Sequence, residues 1–540
     1  MVKLYVDTVW TKIYGMDIDI IKKVKETLRF HPEGYFFSKK YQKVKVDGTR
    51  VWDGYINLCY DKGSMFLVYT GMVSATIQIL KSENIQYEII KQYDNSNIQI
   101  DDVPLNGITL RDYQLEAVNA IKKRKRGIIE AATGAGKTEI CIKAVADIKL
   151  KSLIIVNRTT LFRQIINKLK DRLGLRDDEI NFIGDIKQYN PNNRITVATF
   201  QSLFTKIKGK TKMGDKIKLD LKHSDALKSA QMVITDEVHH ASMNCLGDLL
   251  KYCTNTKFRI GVSATPQRED GYDMMLEALF GQKIFTIGIS ELIQKGYLAR
   301  PKIYMFKTPY FLDKNLSYRA GYGEFIKNEN KNKLIAEIAY RFGKIGKSVL
   351  ISFTRVEHLK LVKKELDKIN ELNLTIKSIV GDNTATQKID AIQSLDTKEF
   401  NIVLSTLFGE GVDVPSLDVL INARNAKSAI DAKQQTGRVI RKYKIGEING
   451  IEIFKEPIVI DFLDYNTFDG EVAPTLFDDE DDIITNDDFD MENVKIEVKD
   501  FFQKYARARL KIYQSEPEFK VVIINNINEI EEINRGGING

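Results

Sequence analysis

The residues with the clearest chemical capacity are Ala131-Ala132-Thr133-Gly134-Ala135-Gly136-Lys137-Thr138, set between the apolar run Gly127-Ile128-Ile129 and a helical pattern at Ile140, Ala144, Val145 and Ile148. A strand, a glycine-rich turn and a helix in that order build a cradle for phosphate. Gly134 and Gly136 let the backbone aim its N–H groups at phosphate oxygens, and the helix start adds the positive end of its dipole. Lys137 then reaches the β- and γ-phosphates of a nucleotide, and Thr138 holds Mg²⁺. Ala131 departs from the first glycine of G-x-x-x-x-G-K-[ST], and taken alone the octapeptide also reads as a turn of small residues.

Met232-Val233-Ile234-Thr235 runs into Asp236-Glu237-Val238-His239-His240, which puts two carboxylates at the end of another apolar strand. Downstream of a P-loop, Asp236 joins Thr138 on Mg²⁺, and Glu237 orients or deprotonates the attacking water. Without that loop the acids read as the start of an ordinary turn. His239 is placed to link the nucleotide site to Ser263-Ala264-Thr265, and His240 reads as a surface histidine. Arg438 and Arg441 are three positions apart, so both fall on one side of a helix and suit a γ-phosphate across a cleft. The plainer reading of that pair is a solvated helix face.

Positioning these groups takes two sheets. From about 105 to 300, apolar runs (Ile128 to Glu130, Ser152 to Val156, Ile195 to Ala198, Met232 to Thr235, Arg259 to Ser263) alternate with helical stretches. That rhythm predicts a doubly wound parallel sheet with functional loops at the carboxyl ends of its strands. It returns between about 335 and 465 with Ser348 to Phe353, Thr375 to Val380, Ile402 to Ser405, Val419 to Asn422 and Pro457 to Phe462. Residues 301–334 read as a connector between the two domains. The second domain is taken to extend to 515, with an acidic insertion at about 470–495 and a basic helix, Val498 to Tyr513, carrying Lys504, Arg507, Arg509 and Lys511. Residues 516–540 read as a tail whose end is frayed.

Ahead of the polar linker Asp94 to Pro104, residues 1–100 predict a small α+β domain. Its strands are Lys3 to Val9, Tyr41 to Val46, Tyr55 to Tyr60 and Phe66 to Val68, and its helices Ile18 to Leu28 and Met72 to Glu83. Tyr35, Phe36 and Phe37 stand beside Lys39, Lys40, Lys43 and Lys45, followed by Arg50 and Trp52. Aromatic faces that stack on bases beside lysines that neutralise phosphate suit a nucleic-acid surface. The same residues also fit a strand with an aromatic core face and a solvated lysine face.

Composition bounds these readings. At 540 residues the chain holds roughly three or four domains of ~150 residues. No apolar run approaches the roughly 18 residues of a membrane span, and Met1 to Val6 reads as a strand rather than a signal peptide, so a cytosolic protein is expected. Cys59, Cys141, Cys245 and Cys253 lack C-x-x-C spacing and read as reduced packing residues. The net charge of +8 permits a polyanionic partner.

In order, A-x-x-G-x-G-K-T, D-E-V-H, S-A-T, Ser405 to Pro415 and Gln434 to Arg441 resemble the motifs of the DExH helicases of superfamily two, over about 105–465. The resemblance implies two tandem RecA-like motor domains with ATP and Mg²⁺ as cofactors. It places Arg111 and Gln114 near the adenine and Thr133, Ala135, Gly411 and Asp413 in the nucleotide site. It further assigns Arg158, Thr159, Thr199 and Gln201 to the nucleic-acid track of the first motor domain, and Phe353, Arg355 and Thr406 to that of the second. Arg268-Glu269-Asp270 resembles the R-E-D element of the XPB-like branch, and Gly34-Tyr35-Phe36 with Val51-Trp52-Asp53-Gly54 resembles the substrate-binding domain of the phage UvsW helicases. These resemblances imply an enzyme that remodels branched DNA, with forks, four-way junctions and RNA:DNA hybrids as substrates, in the host cytoplasm where phage-encoded. Two other readings stand beside it. One is the motor of a nuclease or restriction system, supported in the chain only by Asp490 and Glu497-Val498-Lys499; the other is a non-catalytic nucleic-acid scaffold.

Overall fold

Alternation of apolar and polar residues builds the first layer: Val2, Leu4 and Val6 turn inward from one strand while their neighbours stay outside. The computed structural model describes residues 1–43, 51–92, 98–184, 187–203, 221–238, 243–265, 270–312, 318–380, 400–407, 414–425, 429–448, 451–467 and 499–530. Two compact units divide the chain, Met1–Ile287 and Gly288–Gly540.

The first unit opens with a five-stranded sheet in the order Cys59–Asp61, Phe66–Tyr69, Trp10–Tyr14, Val2–Val6 and Tyr87–Lys91. Helices Ile18–Thr27 and Val73–Ser82 cover it. Asp17 caps the former by accepting from the Ile20 N–H at 2.9 Å, and Ile20 and Val24 face the core. Instead of the strand expected from Tyr41, residues Lys39–Gln42 form a short helix, because the Ser38 hydroxyl accepts from the Tyr41 N–H at 3.1 Å. Residues 44–46 of that expected strand lie outside the described residues.

An eight-stranded sheet follows, in the order Lys187–Gln188, Ile180–Ile183, Ile195–Thr199, Ser152–Val156, Met232–Asp236, Phe258–Ser263, Arg126–Ala131 and Lys283–Ile287. All pairings are parallel except that of the edge strand Lys187–Gln188. Its inner strands are near-continuous apolar runs, as burial on both faces requires. Parallel pairing sets the carboxyl ends of Arg126–Ala131, Phe258–Ser263 and Met232–Asp236 at one edge, with Ser263 beside Glu130 and Asp236 beside Val262.

The small sheet and this motor sheet share one apolar core, which runs from Val2, Leu58 and Met72 through Leu250, Met275 and Phe280. Polar ties cross the same seam. The Thr8 hydroxyl donates to the Thr254 carbonyl at 3.0 Å, the Glu33 N–H to the Asp270 carbonyl at 3.0 Å, and the Arg126 guanidinium to the carbonyls of Thr8 and Leu279. The polar stretch ahead of residue 105 is not slack either. Asp101 N–H donates to Asp147 O and Val103 N–H to Asp147 Oδ1, both at 2.9 Å, while Lys143 pairs with Asp102 and Asp147.

In the second unit a seven-stranded sheet, parallel throughout, runs Ile376–Ile379, Ile402–Ser405, Val349–Ser352, Val419–Asn422, Ile458–Asn466, Lys302–Tyr310 and Lys520–Ile524. Two boundaries from the sequence are corrected here. Lys302–Tyr310, placed in the 301–334 connector, is an internal strand with Ile303 to Phe306 buried, and Lys520–Ile524, placed in the 516–540 tail, is its edge neighbour. The basic helix is Lys499–Gln514, and Phe502, Tyr505, Ala506, Arg509, Leu510 and Tyr513 are buried. Arg509 is 1% exposed and meets both oxygens of Asp461 at 3.1 Å, so it is a core cation rather than a surface one.

Candidate nucleotide and nucleic-acid site

The P-loop leaves strand Arg126–Ala131 and ends at helix Lys137–Ile148. Gly134 (φ 88°) and Gly136 (φ 78°) both take the left-handed turn that side chains resist. At Gly136 a Cβ would also lie 2.4 Å from Gln114 Nε2, so this position is glycine on two counts. The helix behind it is buried along its length, and its charged residues are paired: Glu139 meets Lys168 at 3.0 Å and Arg172 at 3.3 Å.

Arg111, Tyr113 and Gln114 brace the loop. Gln114 sits at the third position of helix Asp112–Arg124 and reaches back, its Oε1 accepting from the Arg111 N–H at 2.9 Å. Its Nε2 and the Tyr113 hydroxyl both donate to the Ala135 carbonyl at 2.9 Å, and Arg111 Nη1 donates to the Tyr113 oxygen at 2.9 Å. Gln114, assigned to the adenine by resemblance, is 3% exposed and holds the P-loop through its bond to the Ala135 carbonyl. Tyr113 is the residue the sequence reading passed over. The R-x-x-Q spacing at the helix start was its available signal.

Opposite the loop, Lys137 Nζ lies 3.3 Å from Glu237 Oε1 and donates to the Ala131 carbonyl at 3.4 Å. Glu237 is a non-glycine at φ 47°, a costly backbone setting held by its surroundings. Asp236 Oδ1 accepts the Glu237 N–H at 3.0 Å, and the Glu237 carbonyl accepts from Asn157 Nδ2 at 2.9 Å. Burial first, and the Glu237 carboxylate second, push the Asp236 carboxyl up to about 7. Loop N–H groups with Lys137 form an anion cradle, and the Thr138 hydroxyl with the Asp236 carboxylate gives oxygen ligands for a hard divalent cation, so the residues fit a magnesium nucleotide. Ser263 Oγ accepts the Thr265 N–H at 3.1 Å. His239 and His240 lie outside the described residues, as do Arg268, Glu269, Gly411, Asp413 and Asp490.

Among the residues assigned to nucleic acid, Arg158, Thr159 and Gln201 are exposed. Gln201 Nε2 donates to the Asn157 carbonyl at 3.0 Å, so Asn157 bonds to both the Glu237 and Gln201 segments. Thr199 is 5% exposed, with its hydroxyl bonded to that of Ser202 at 2.7 Å, which makes it a turn-holding residue. Phe353 is corrected likewise: it is fully buried and packs edge-on against His358 at 5.0 Å. The Arg355 guanidinium lies 4.3 Å over the Tyr322 ring, and Thr406 N–H donates to the Ile379 carbonyl. Helix Ala429–Val439 ends before Arg441, which pairs in an extended bridge with Leu298. Arg438 and Arg441 therefore do not share a helix face.

In the first hundred residues the aromatics stack on one another. His31 sits between Tyr35 (4.0 Å, 19°) and Tyr55 (3.7 Å, 33°), with Arg29 over Tyr55 at 4.2 Å. Tyr35 thus gives one face to His31, Phe36 tilts against Phe37 at 4.3 Å, and Trp52 Nε1 donates to the Tyr55 carbonyl at 2.8 Å. Lys43 is exposed, and the side chains of Lys39 and Lys40 lie outside the described residues. Asp270 is exposed and faces this region through its bond to Glu33. Among the described residues no group of His, Cys, Asp and Glu forms a metal cluster, and no helix is long and apolar enough to cross a membrane.

Residues 107–268 match the family described as Type III restriction enzyme, res subunit, and residues 330–443 match the Helicase conserved C-terminal domain. The chain is 26% identical over 376 residues to Putative helicase 22 of Sulfolobus islandicus filamentous virus, covering 64% of each chain. It is 26% identical over 396 residues to the DNA 3'-5' translocase XPB2 of Sulfurisphaera tokodaii, covering 66% of this chain and 85% of that one. A crystal structure of T4 UvsW aligns over 97% of this chain and 99% of its own, at 18% identity and a TM-score of 0.43. With the two helicase-family models matched at 107–268 and 330–443 and the P-loop and D-E-V-H motif in place at one sheet edge, the chain carries the two domains of a superfamily-two helicase and is similar to the XPB-like proteins.

Proposed function

We propose that the chain is an ATP-driven DNA helicase or translocase that remodels branched nucleic acid: it regresses forks, migrates four-way junctions and strips RNA from R-loops. The observation that carries the ATPase half is the meeting of Lys137 with Glu237 at 3.3 Å beside the buried Asp236. In this reading Lys137 and the loop N–H groups hold phosphate, while Thr138 and Asp236 hold Mg²⁺, which supplies charge neutralisation at the transferred phosphate. Glu237 orients the attacking water, and its left-handed backbone aims the carboxylate. The assignment of Arg438 and Arg441 to the γ-phosphate rests on the resemblance to the family. Preference for branched DNA rests on the N-terminal resemblance and on the packing of that domain against the first motor sheet. The cytoplasm, the host's for a phage-encoded chain, is the proposed location.

The test compares ATPase stimulation and strand remodelling on single strands, duplexes, forks, four-way junctions and R-loops, with Lys137→Ala alongside. The wild type is expected to hydrolyse ATP best on branched DNA and Lys137→Ala to lose turnover while still binding DNA. Wild-type turnover in Lys137→Ala overturns the P-loop assignment. DNA binding with no ATP turnover on any substrate favours the scaffold reading, and cutting of circular DNA with Mg²⁺ favours the nuclease reading.

A further inference from the structure

Between the small N-terminal sheet and the first motor sheet lies a cavity of about 480 Å³, lined by Trp52, Tyr55, Tyr60 and Tyr69 on one side and by Asp248, Lys251 and Met275 on the other. Its size is that of a small-molecule site, which spans roughly 300–1,000 Å³. Of the four aromatic side chains in that wall, Tyr55 already packs against His31 at 3.7 Å and Trp52 Nε1 donates to the Tyr55 carbonyl at 2.8 Å. Tyr69 is buried and stacks on Trp10 at 4.1 Å, so one of its faces is used. Tyr60 is 44% exposed and meets Trp10 only edge-on, at 5.5 Å and 72°; among the described residues no ring stacks on it. The rim carries groups that read the edge of a flat heterocycle. Lys251 Nζ donates to Asp248 Oδ1 at 2.9 Å, which leaves the second Asp248 oxygen to accept, and the Asn57 amide can do both.

Resting on the proposed DNA-remodelling activity, we propose that this cavity takes one unpaired nucleobase of the DNA substrate, stacked on Tyr60, with the Asp248 carboxylate accepting from the base's exocyclic amine. An aromatic face with a mixed donor and acceptor rim suits a base better than a peptide side chain or a sugar, because stacking and edge recognition are satisfied together. Both walls belong to the same compact unit, so a base held here touches the N-terminal domain and the motor helices Met243–Lys251 and Asp273–Phe280 at once. A motor reading an exposed base at a junction needs that connection.

The experiment uses the full chain and forks whose unpaired arm carries an abasic site, stepped one nucleotide at a time from the junction, with affinity read by fluorescence anisotropy. One position is expected at which the abasic site weakens binding about fivefold or more, the lower end of what one base–aromatic stack contributes. Tyr60→Ala is expected to flatten that position. A flat profile in the wild type, or the same dip in Tyr60→Ala, overturns the proposal. Should Tyr60→Ala fail to fold, Asp248→Ala carries the test, since its side chain is 53% exposed. It is expected to erase a preference for adenine over thymine at the same position, and an unchanged preference overturns the proposal. Forks that bind and stimulate ATPase with a flat profile reject the cavity alone. No binding to any DNA rejects the helicase reading with it.

Discussion

Gly71→Ala asks whether the first hundred residues and the first motor sheet fold as one body. Gly71 lies in the turn Thr70–Met72, where a Cβ would fall 2.1 Å from the Glu277 carbonyl oxygen and 2.5 Å from that of Ala278. Both are backbone atoms of helix Asp273–Phe280 and cannot swing aside, so the two domains must part by roughly 1 Å to restore contact distance. Overpacking costs about 1–3 kcal/mol, and the upper end applies where backbone meets backbone. Parting also stretches Thr8 Oγ1 to Thr254 O and Glu33 N–H to Asp270 O, each 3.0 Å, at about 1 kcal/mol apiece. The expected loss is about 3–5 kcal/mol, a large share of the roughly 5–15 kcal/mol that keeps a domain folded.

The chain has two tryptophans, Trp10 and Trp52, and both lie in the N-terminal domain. Tryptophan emission therefore follows that domain, while binding of a fluorescent ATP analogue follows the motor. In wild type the two urea transitions should coincide, and in Gly71→Ala the tryptophan midpoint should fall by roughly 1–2 M at a slope of ~3 kcal/mol/M. A midpoint unchanged within about 0.3 M, or separate wild-type transitions, would refute the shared-core argument. The same logic bears on a chain cut near residue 101: it uncovers helix Asp273–Phe280 and should be unstable rather than a freestanding motor.

Glu237→Gln keeps the shape and the Asp236 partner but removes the charge facing Lys137, so ATP should bind while hydrolysis falls about 100-fold or more; loss of binding with turnover would undo the division of labour between the two acids. Because the Asp236 carboxyl is pushed up to about 7, it holds its proton below that pH, and a cation that needs the carboxylate must displace it. Mg²⁺-nucleotide affinity should then rise with pH through 7 and fall roughly tenfold per unit below it, with protons released on binding in calorimetry; a flat profile from pH 6 to 8 that matches Asp236→Asn would contradict the assignment. Arg509→Ala strands the fully buried Asp461 carboxylate and should destabilise the second unit by about 3–5 kcal/mol in thermal unfolding, while DNA affinity per folded molecule is unchanged. Weaker DNA binding without destabilisation would instead place Arg509 in contact with nucleic acid.

What could be read in the chain was what is local in it. Ser152–Val156, Ile402–Ser405 and Val419–Asn422 are unbroken apolar runs because parallel pairing buries both faces, and each was found with its bounds. Lys302–Tyr310 was missed because its apolar run, Ile303 to Phe306, is only four residues long between Lys302 and Lys307-Thr308 and the strand ends through Pro309, a pattern that reads as a link. Lys520–Ile524 follows Glu516-Pro517-Glu518, which reads as the end of the chain's last element. The P-loop is one continuous octapeptide and needed no partner to be seen. Arg509 read as one of four charges on a basic helix, and nothing near it in sequence reveals Asp461, 48 positions away.

The part of the site that sequence could not supply is the part that joins its two functions. Glu237 stands at φ 47°, where a residue with a side chain stays only if its surroundings hold it. One of those restraints is Asn157 Nδ2 on its carbonyl, 80 residues away in the chain, and Asn157 is in turn held by Gln201. Next to Asn157 stand the exposed Arg158 and Thr159, so the backbone that aims the proposed water-orienting carboxylate is tied, one residue removed, to the proposed nucleic-acid face. A strand gripped at Arg158, Thr159 and Gln201 would stiffen the Asn157 bonds and with them the setting of Glu237. Neither motif contains that link; the register that brings Ser152–Val156 beside both Ile195–Thr199 and Met232–Asp236 creates it.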